Sequence, residues 1–151
     1  MKLKVSTVRI RVPPLLEFTR NMAHGGVPVY LYGALADSGS AWLYNRVSMV
    51  MEMENSRQEL ERLCRRYHVR RLALFGSALG EGFGSDSDID LLVEFEPSRT
   101  PGFAFVTLQR ELSELLSREV DLHTYYSLSR YFRDEVLEQS QTIYERVAQR
   151  S

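Results

Sequence analysis

Three aspartates and a glycine–serine pair carry the chemistry that this 151-residue chain offers. Asp88 and Asp90 stand one residue apart in Asp88-Ile89-Asp90-Leu91-Leu92-Val93, downstream of Gly76-Ser77 across the loop 78–87. On a strand, residues two apart point to the same side with Cα atoms roughly 6 to 7 Å apart, so both carboxylates can converge on one ion. Magnesium takes hard oxygen ligands and needs only one or two protein carboxylates beside water and phosphate oxygens. Gly76 ends an apolar run, and its missing side chain lets the backbone turn sharply and approach a ligand closely. Ser77 adds a hydroxyl donor, and backbone N–H groups at such a turn seat an anion, helped by a short helix expected to begin near Ala78. The pattern points to a seat for a metal-bound nucleoside triphosphate. In Val120-Asp121-Leu122 the flanking residues face the core and Asp121 faces the other way, a third acid suited to take a proton from an attacking hydroxyl.

Other readings of the same residues fit less well. An EF-hand starting at Asp86 wants Gly at its sixth position and Glu at its twelfth, where the chain has Leu91 and Pro97. A P-loop needs Gly-Lys-Ser or Gly-Lys-Thr, and no lysine follows Lys4. Gly80, Gly82 and Gly84 precede a strand, so they are read as loop residues and not as a dinucleotide fingerprint. Asp86 sits in a turn-like setting between Ser85 and Ser87 and is read as structural. His68 and His123 are assigned surface or packing roles, for want of acids or cysteines at metal spacing. Tyr125 and Tyr126 are assigned to the core. Arg65, Arg66, Arg70 and Arg71 form a basic cluster that either meets solvent or an acidic partner.

The elements that must position these residues come in a clear order. Ser56-Arg57-Gln58-Glu59 reads as a capping box, with Leu60, Leu63, Cys64 and Tyr67 at helical spacing behind it. A buried strand spans Val69 to Phe75. A second runs from about Asp88 to Phe95 with Ile89, Leu91, Val93 and Phe95 on its core face. After a loop from Pro97 to Gly102, Phe105, Leu108, Leu112, Leu115 and Leu116 mark an amphipathic helix. A third strand follows near Val120. A last helix is expected from about Ser129, with Tyr131, Phe132, Val136 and Leu137 apolar, before a short terminal segment Thr142 to Tyr144.

Phe75-Gly76-Ser77, ten residues, then Asp88-Ile89-Asp90-Leu91 resembles the signature of the DNA polymerase β-like nucleotidyltransferase superfamily. Leu92-Val93-Glu94-Phe95-Glu96-Pro97 and the later Val120-Asp121-Leu122 narrow the resemblance to the minimal nucleotidyltransferases (MNT), which act as antitoxins beside a helical HEPN toxin. The resemblance implies an α/β (α+β) fold, a small mixed β-sheet flanked by helices. It further implies that Gly76 and Ser77 bind the triphosphate of ATP, and that Asp88, Asp90 and Asp121 are the catalytic carboxylates holding two Mg2+ ions. The implied reaction is transfer of AMP to a tyrosine of the HEPN partner. One departure stands out: where the family has a pattern like Arg-Ala-Arg-Gly after Gly-Ser, this chain has Ala78-Leu79-Gly80-Glu81. Arginine is the preferred bidentate phosphate partner, so an antitoxin that neutralises its partner by binding alone is one alternative. Nucleotidyl transfer to a small molecule such as an aminoglycoside is another, although relatives of that type usually carry a further substrate domain.

Composition bounds the rest. Length and apolar content suit one domain with a core. The net charge of −1 conceals a contrast, because residues 1–50 hold six Lys/Arg against two Asp/Glu, and residues 51–151 hold thirteen against eighteen. An acidic catalytic half without a basic stripe argues against stable binding of long nucleic acid. The single cysteine, Cys64, excludes an intramolecular disulfide, and no apolar run approaches a membrane span; a cytoplasmic location is the simplest expectation. Residues 1–53 have no clear period, contain Pro13-Pro14 and Gly25-Gly26, and are read as a poorly ordered extension, with Met51 or Met53 as candidate true starts. Residues 54–151 are read as the nucleotidyltransferase domain.

Overall fold

The computed structural model describes residues 41–99 and 101–146. Helix α1 (Ala41–Asn55) leads into α2 (Arg57–Arg66), strand β1 (Val69–Phe75), a single 3-10 turn (Gly76–Leu79) and strand β2 (Ile89–Phe95). Helix α3 (Ala104–Leu115), strand β3 (Val120–Thr124), helix α4 (Arg133–Gln139) and strand β4 (Gln141–Glu145) complete the order. The four strands form one mixed sheet in the order β3-β2-β1-β4. β1 is antiparallel to both β2 and β4, whereas β2 and β3 are parallel, with α3 as the crossover that parallel pairing requires. This is the expected small mixed sheet flanked by helices. No helix among the described residues is long and apolar enough to cross a membrane.

Alternation along the strands divides the sheet into two unlike sides. Val69, Leu72 and Leu74 of β1, Ile89, Leu91 and Val93 of β2, and Val120 and Leu122 of β3 face one way. There they meet Met49, Val50 and Met53 of α1, Leu60, Leu63 and Cys64 of α2, and Leu108 and Leu112 of α3. On the other side, among the described residues, only Ala73, Phe75 and Leu92 form a buried cluster, beneath Leu128, Val136 and Leu137. Burial raises the Cys64 thiol pKa, with the Glu61 charge adding to it, so this thiol is an inert core group.

Several local expectations change. α1 crosses the boundary expected between residues 53 and 54 and sends three side chains into the core from the segment before it. Apolar residues occur almost all round this helix, including Trp42, Val47 and Met51, so the 3.6-residue contrast that marks a helix is weak. Residues 1–40 of the extension expected over residues 1–53 lie outside the described residues. The capping box does not form, since Ser56 makes no side-chain cap bond and sits at φ −92°, ψ 6°. Its N–H already bonds Glu52 and its carbonyl accepts from Leu60, so the backbone runs helically through the junction; Glu59 pairs instead with Arg62. α4 begins at Arg133, later than expected, and Tyr131 and Phe132 before it are 79% and 63% exposed. The terminal segment becomes edge strand β4, with Tyr144 fully buried.

The basic cluster is consumed internally. Arg65 pairs with Glu61, Arg66 with Glu111, and both Arg70 and Arg71 with Glu94. Tyr67 also donates to Glu111 at 3.0 Å, which ties the end of α2 to α3. These contacts orient the helices over the sheet and leave the opposite side for chemistry.

Candidate active site

The thinly covered side of the sheet carries the acids. Asp90 is the second residue of β2 and Asp121 the second of β3, and the parallel register pairs them directly. Neighbouring strands lie about 4.8 Å apart, so the two carboxylates face the same space by construction. His123, two residues on, points to the same side, with Nε2 3.2 Å from Asp121 Oδ2. One ligand atom from each of Asp90, Asp121 and His123 lies within 4.8 Å of the others. The imidazole stands edge-on to Phe75, their centroids 5.5 Å apart, and is a quarter exposed. The Asp121 side chain is 56% exposed.

Gly76 explains itself through Asp90. It has φ +70°, and a Cβ built there would collide with the Asp90 carboxylate, so only glycine lets the chain turn while the acid packs against its backbone. The next N–H, that of Ser77, donates to Asp90. The Gly-Ser turn and the acid are thus one unit, joined through the Phe75↔Asp90 pairing of β1 and β2. Arg46 of α1 donates to the Leu79 carbonyl at 3.2 Å, bringing a guanidinium to the end of a turn whose own residues carry none. Arg118 fastens the following loop by donating to the carbonyls of Gly84 and Ser85 and lying over the Phe83 ring.

The Asp90 pKa is raised, first by partial burial and then by the charges of Asp121 and Asp88; His123 and the Ser77 N–H oppose the rise. Acidic side chains gathered on one face, with the His123 imidazole beside them, are an electrostatic form of cation seat. The two carboxylates suit a hard divalent ion that keeps water and phosphate oxygens in its remaining positions.

The structure brings together Asp90, Asp121, Gly76 and Ser77. Asp88 lies one residue before β2, is exposed, and stands outside the tight cluster, although its charge reaches Asp90. His123, expected in a surface or packing role, lies in the cluster. The signal was present as Asp121-x-His123, a two-residue spacing on one strand face. Tyr126, expected in the core, is 86% exposed, while Tyr125 lies under Arg133, whose guanidinium carbon is 4.3 Å from the ring centroid. A cavity of about 730 Å³ opens at the far ends of β2 and β3, lined by Val93, Phe95, Thr124 and Tyr125 among others. It lies beyond the acids, which sit near the strands' beginnings.

Residues 58–149 match the sequence pattern of the family described as "Polymerase beta, Nucleotidyltransferase". The chain belongs to this family. As a polymerase beta nucleotidyltransferase it is 31% identical over 90 residues to a protein of Methanocaldococcus jannaschii provisionally named a protein adenylyltransferase. That alignment covers 60% of this chain and 96% of the relative. A solved structure provisionally described as a minimal nucleotidyltransferase is 33% identical, with a TM-score of 0.50, over 58% of this chain and 89% of that one. A third likeness, in fold alone, is to a crystal structure of a toxin–antitoxin with AMP-PNP: 24% identity, a TM-score of 0.49, and coverage of 58% and 72%.

Proposed function

We propose that this nucleotidyltransferase transfers AMP from ATP to a tyrosine hydroxyl of a HEPN-type toxin in the cytoplasm, acting as its antitoxin. The observation that carries the reading is the pairing of Asp90 with Asp121 across β2 and β3, beside the Gly76-Ser77 turn. The tyrosine oxygen attacks the α-phosphorus, the bond from that phosphorus to the bridging oxygen breaks, and pyrophosphate leaves. Asp121, the more exposed acid, receives the hydroxyl proton. The Ser77 hydroxyl and the N–H groups of the turn other than that of Ser77, which Asp90 takes, hold phosphate oxygens, and Gly76 permits their close approach. Asp90 and Asp121, with Asp88 at the margin, would hold two Mg2+ ions, which supply charge neutralisation on the triphosphate. The named relative and the sequence signature support protein as the acceptor.

The absence of cationic side chains from residues 76–80 favours one second reading, an antitoxin that works by binding alone. Incubation with α-labelled ATP, Mg2+ and a HEPN partner separates the two. Label on the partner, lost in Asp90→Ala, is the expected result. A tight complex without label would leave the binding role and sink the transfer.

A further inference from the structure

β3 presents two polar side chains, not one, to the space that Asp90 faces. The His123 Nε2 to Asp121 Oδ2 separation of 3.2 Å suits neighbouring ligands of one ion. With metal–ligand bonds of about 2.1 Å, ligand atoms of one ion lie roughly 3 to 4.2 Å apart. All three ligand atoms fall within 4.8 Å of one another, so small side-chain adjustments bring them to a common centre. The ring is not loose: Phe75 meets it edge-on, and Leu92, its register partner on β2, is buried. Building on the function proposed above, we infer that His123 is a third ligand of the divalent cation held by Asp90 and Asp121, and that it tilts the site from Mg2+ toward first-row transition ions, of which Mn2+ is the one nearest to Mg2+ in its demands.

The chemistry of the ligands decides the direction. Mg2+ demands oxygen donors and gains little from imidazole, whereas ions further along the transition series accept nitrogen readily. Two carboxylates and one imidazole leave half of an octahedral sphere for water and phosphate oxygens. The competing role is that His123 only hydrogen-bonds Asp121 and orients it, an outer position that would strengthen every ion alike.

Pulsed EPR of the full chain loaded with Mn2+ tests the inference directly, because a coordinated imidazole nitrogen couples to the manganese electrons. The expected spectrum shows nitrogen coupling in the wild type and in a variant that changes the other two histidines of the sequence, His24→Gln/His68→Gln, and none in His123→Gln. In parallel titrations His123→Gln weakens Mn2+ by about tenfold and Mg2+ by less than about twofold. Bound Mn2+ without nitrogen coupling in the wild type overturns the inference, as does equal weakening of the two ions. The wild-type spectrum decides even where His123→Gln fails to fold. Asp90→Asn separates the two levels: if it abolishes Mn2+ binding while nitrogen coupling is lacking, only the role of His123 falls. If Mn2+ binding survives Asp90→Asn unchanged, the proposed metal seat falls with it.

Discussion

The two sides of the sheet differ in what they bury. Under α1, α2 and α3 the strands present apolar side chains, with the Tyr144 hydroxyl as a buried exception, interlocked with residues from every covering helix. The other side buries three strand residues beneath a short helix and leaves Asp90, Asp121 and His123 together beside them. A one-sided core of this kind supplies stability without the polar side, so charges that resist burial can collect where a ligand enters.

The largest separation between the sides is expected from Asp90→Asn. It removes a ligand of the proposed cation, and AMP transfer should fall by about 10³-fold, roughly 4 kcal/mol of transition-state stabilisation, while the melting temperature without metal holds or rises. A variant retaining a tenth of wild-type turnover would show that the open side is not where transfer happens. Leu91→Ala and Leu92→Ala form the complementary pair, adjacent residues facing opposite ways. Denaturant titration should show a loss of about 4 kcal/mol for Leu91→Ala and nearer 2 kcal/mol for Leu92→Ala, within the usual range for buried leucine truncation. Equal losses would erase the distinction.

Gly76→Ala should cost about 1 to 2 kcal/mol from its positive φ and displace Asp90, so stability and turnover fall together. A pH series gives a finer reading of the same acid. The Asp90 pKa is raised above its ordinary value of 3.8, so between that value and the folded one the native state binds more protons than the unfolded chain. This group's contribution to stability therefore falls as pH rises through that window, and Asp90→Asn should lack the decline. Saturating Mg2+ should offset it in the wild type. Parallel pH profiles for the two proteins in metal-free buffer would contradict the assignment. The smallest effect is expected on the helix-covered side, where the Tyr144 hydroxyl is buried without a hydrogen-bond partner among the described residues. Tyr144→Phe should raise stability by about 1 kcal/mol, read by thermal melting.

Much of this division was legible in the residues. β1 runs between the limits expected, because an unbroken apolar stretch stops at a glycine, and β2 misses its expected start by one residue. The alternation Ile89, Leu91, Val93 against Asp90 separated core from site, and Val120-Asp121-Leu122 did the same for β3. What escaped was either non-local or masked. The spacing Asp121-x-His123 sets the imidazole on the face of its neighbouring acid, but Asp90 joins them only when the parallel register lays β3 beside β2. α1 lacked a contrasting polar stripe, and the Ser56 cap was overridden by a helix already in progress. Tyr131 and Phe132 looked like core because hydrophobicity alone does not say which way a turn faces.

The direct pairing of Asp90 with Asp121 has a consequence for how this protein can change. The gap between the two acids is gauged by the hydrogen-bond ladder joining adjacent strands and not by the connecting segment. The loop between β2 and α3 can therefore change in length without altering the span between the two acids, whereas a slip of one residue between β2 and β3 would turn an acid toward the core and separate the pair at once.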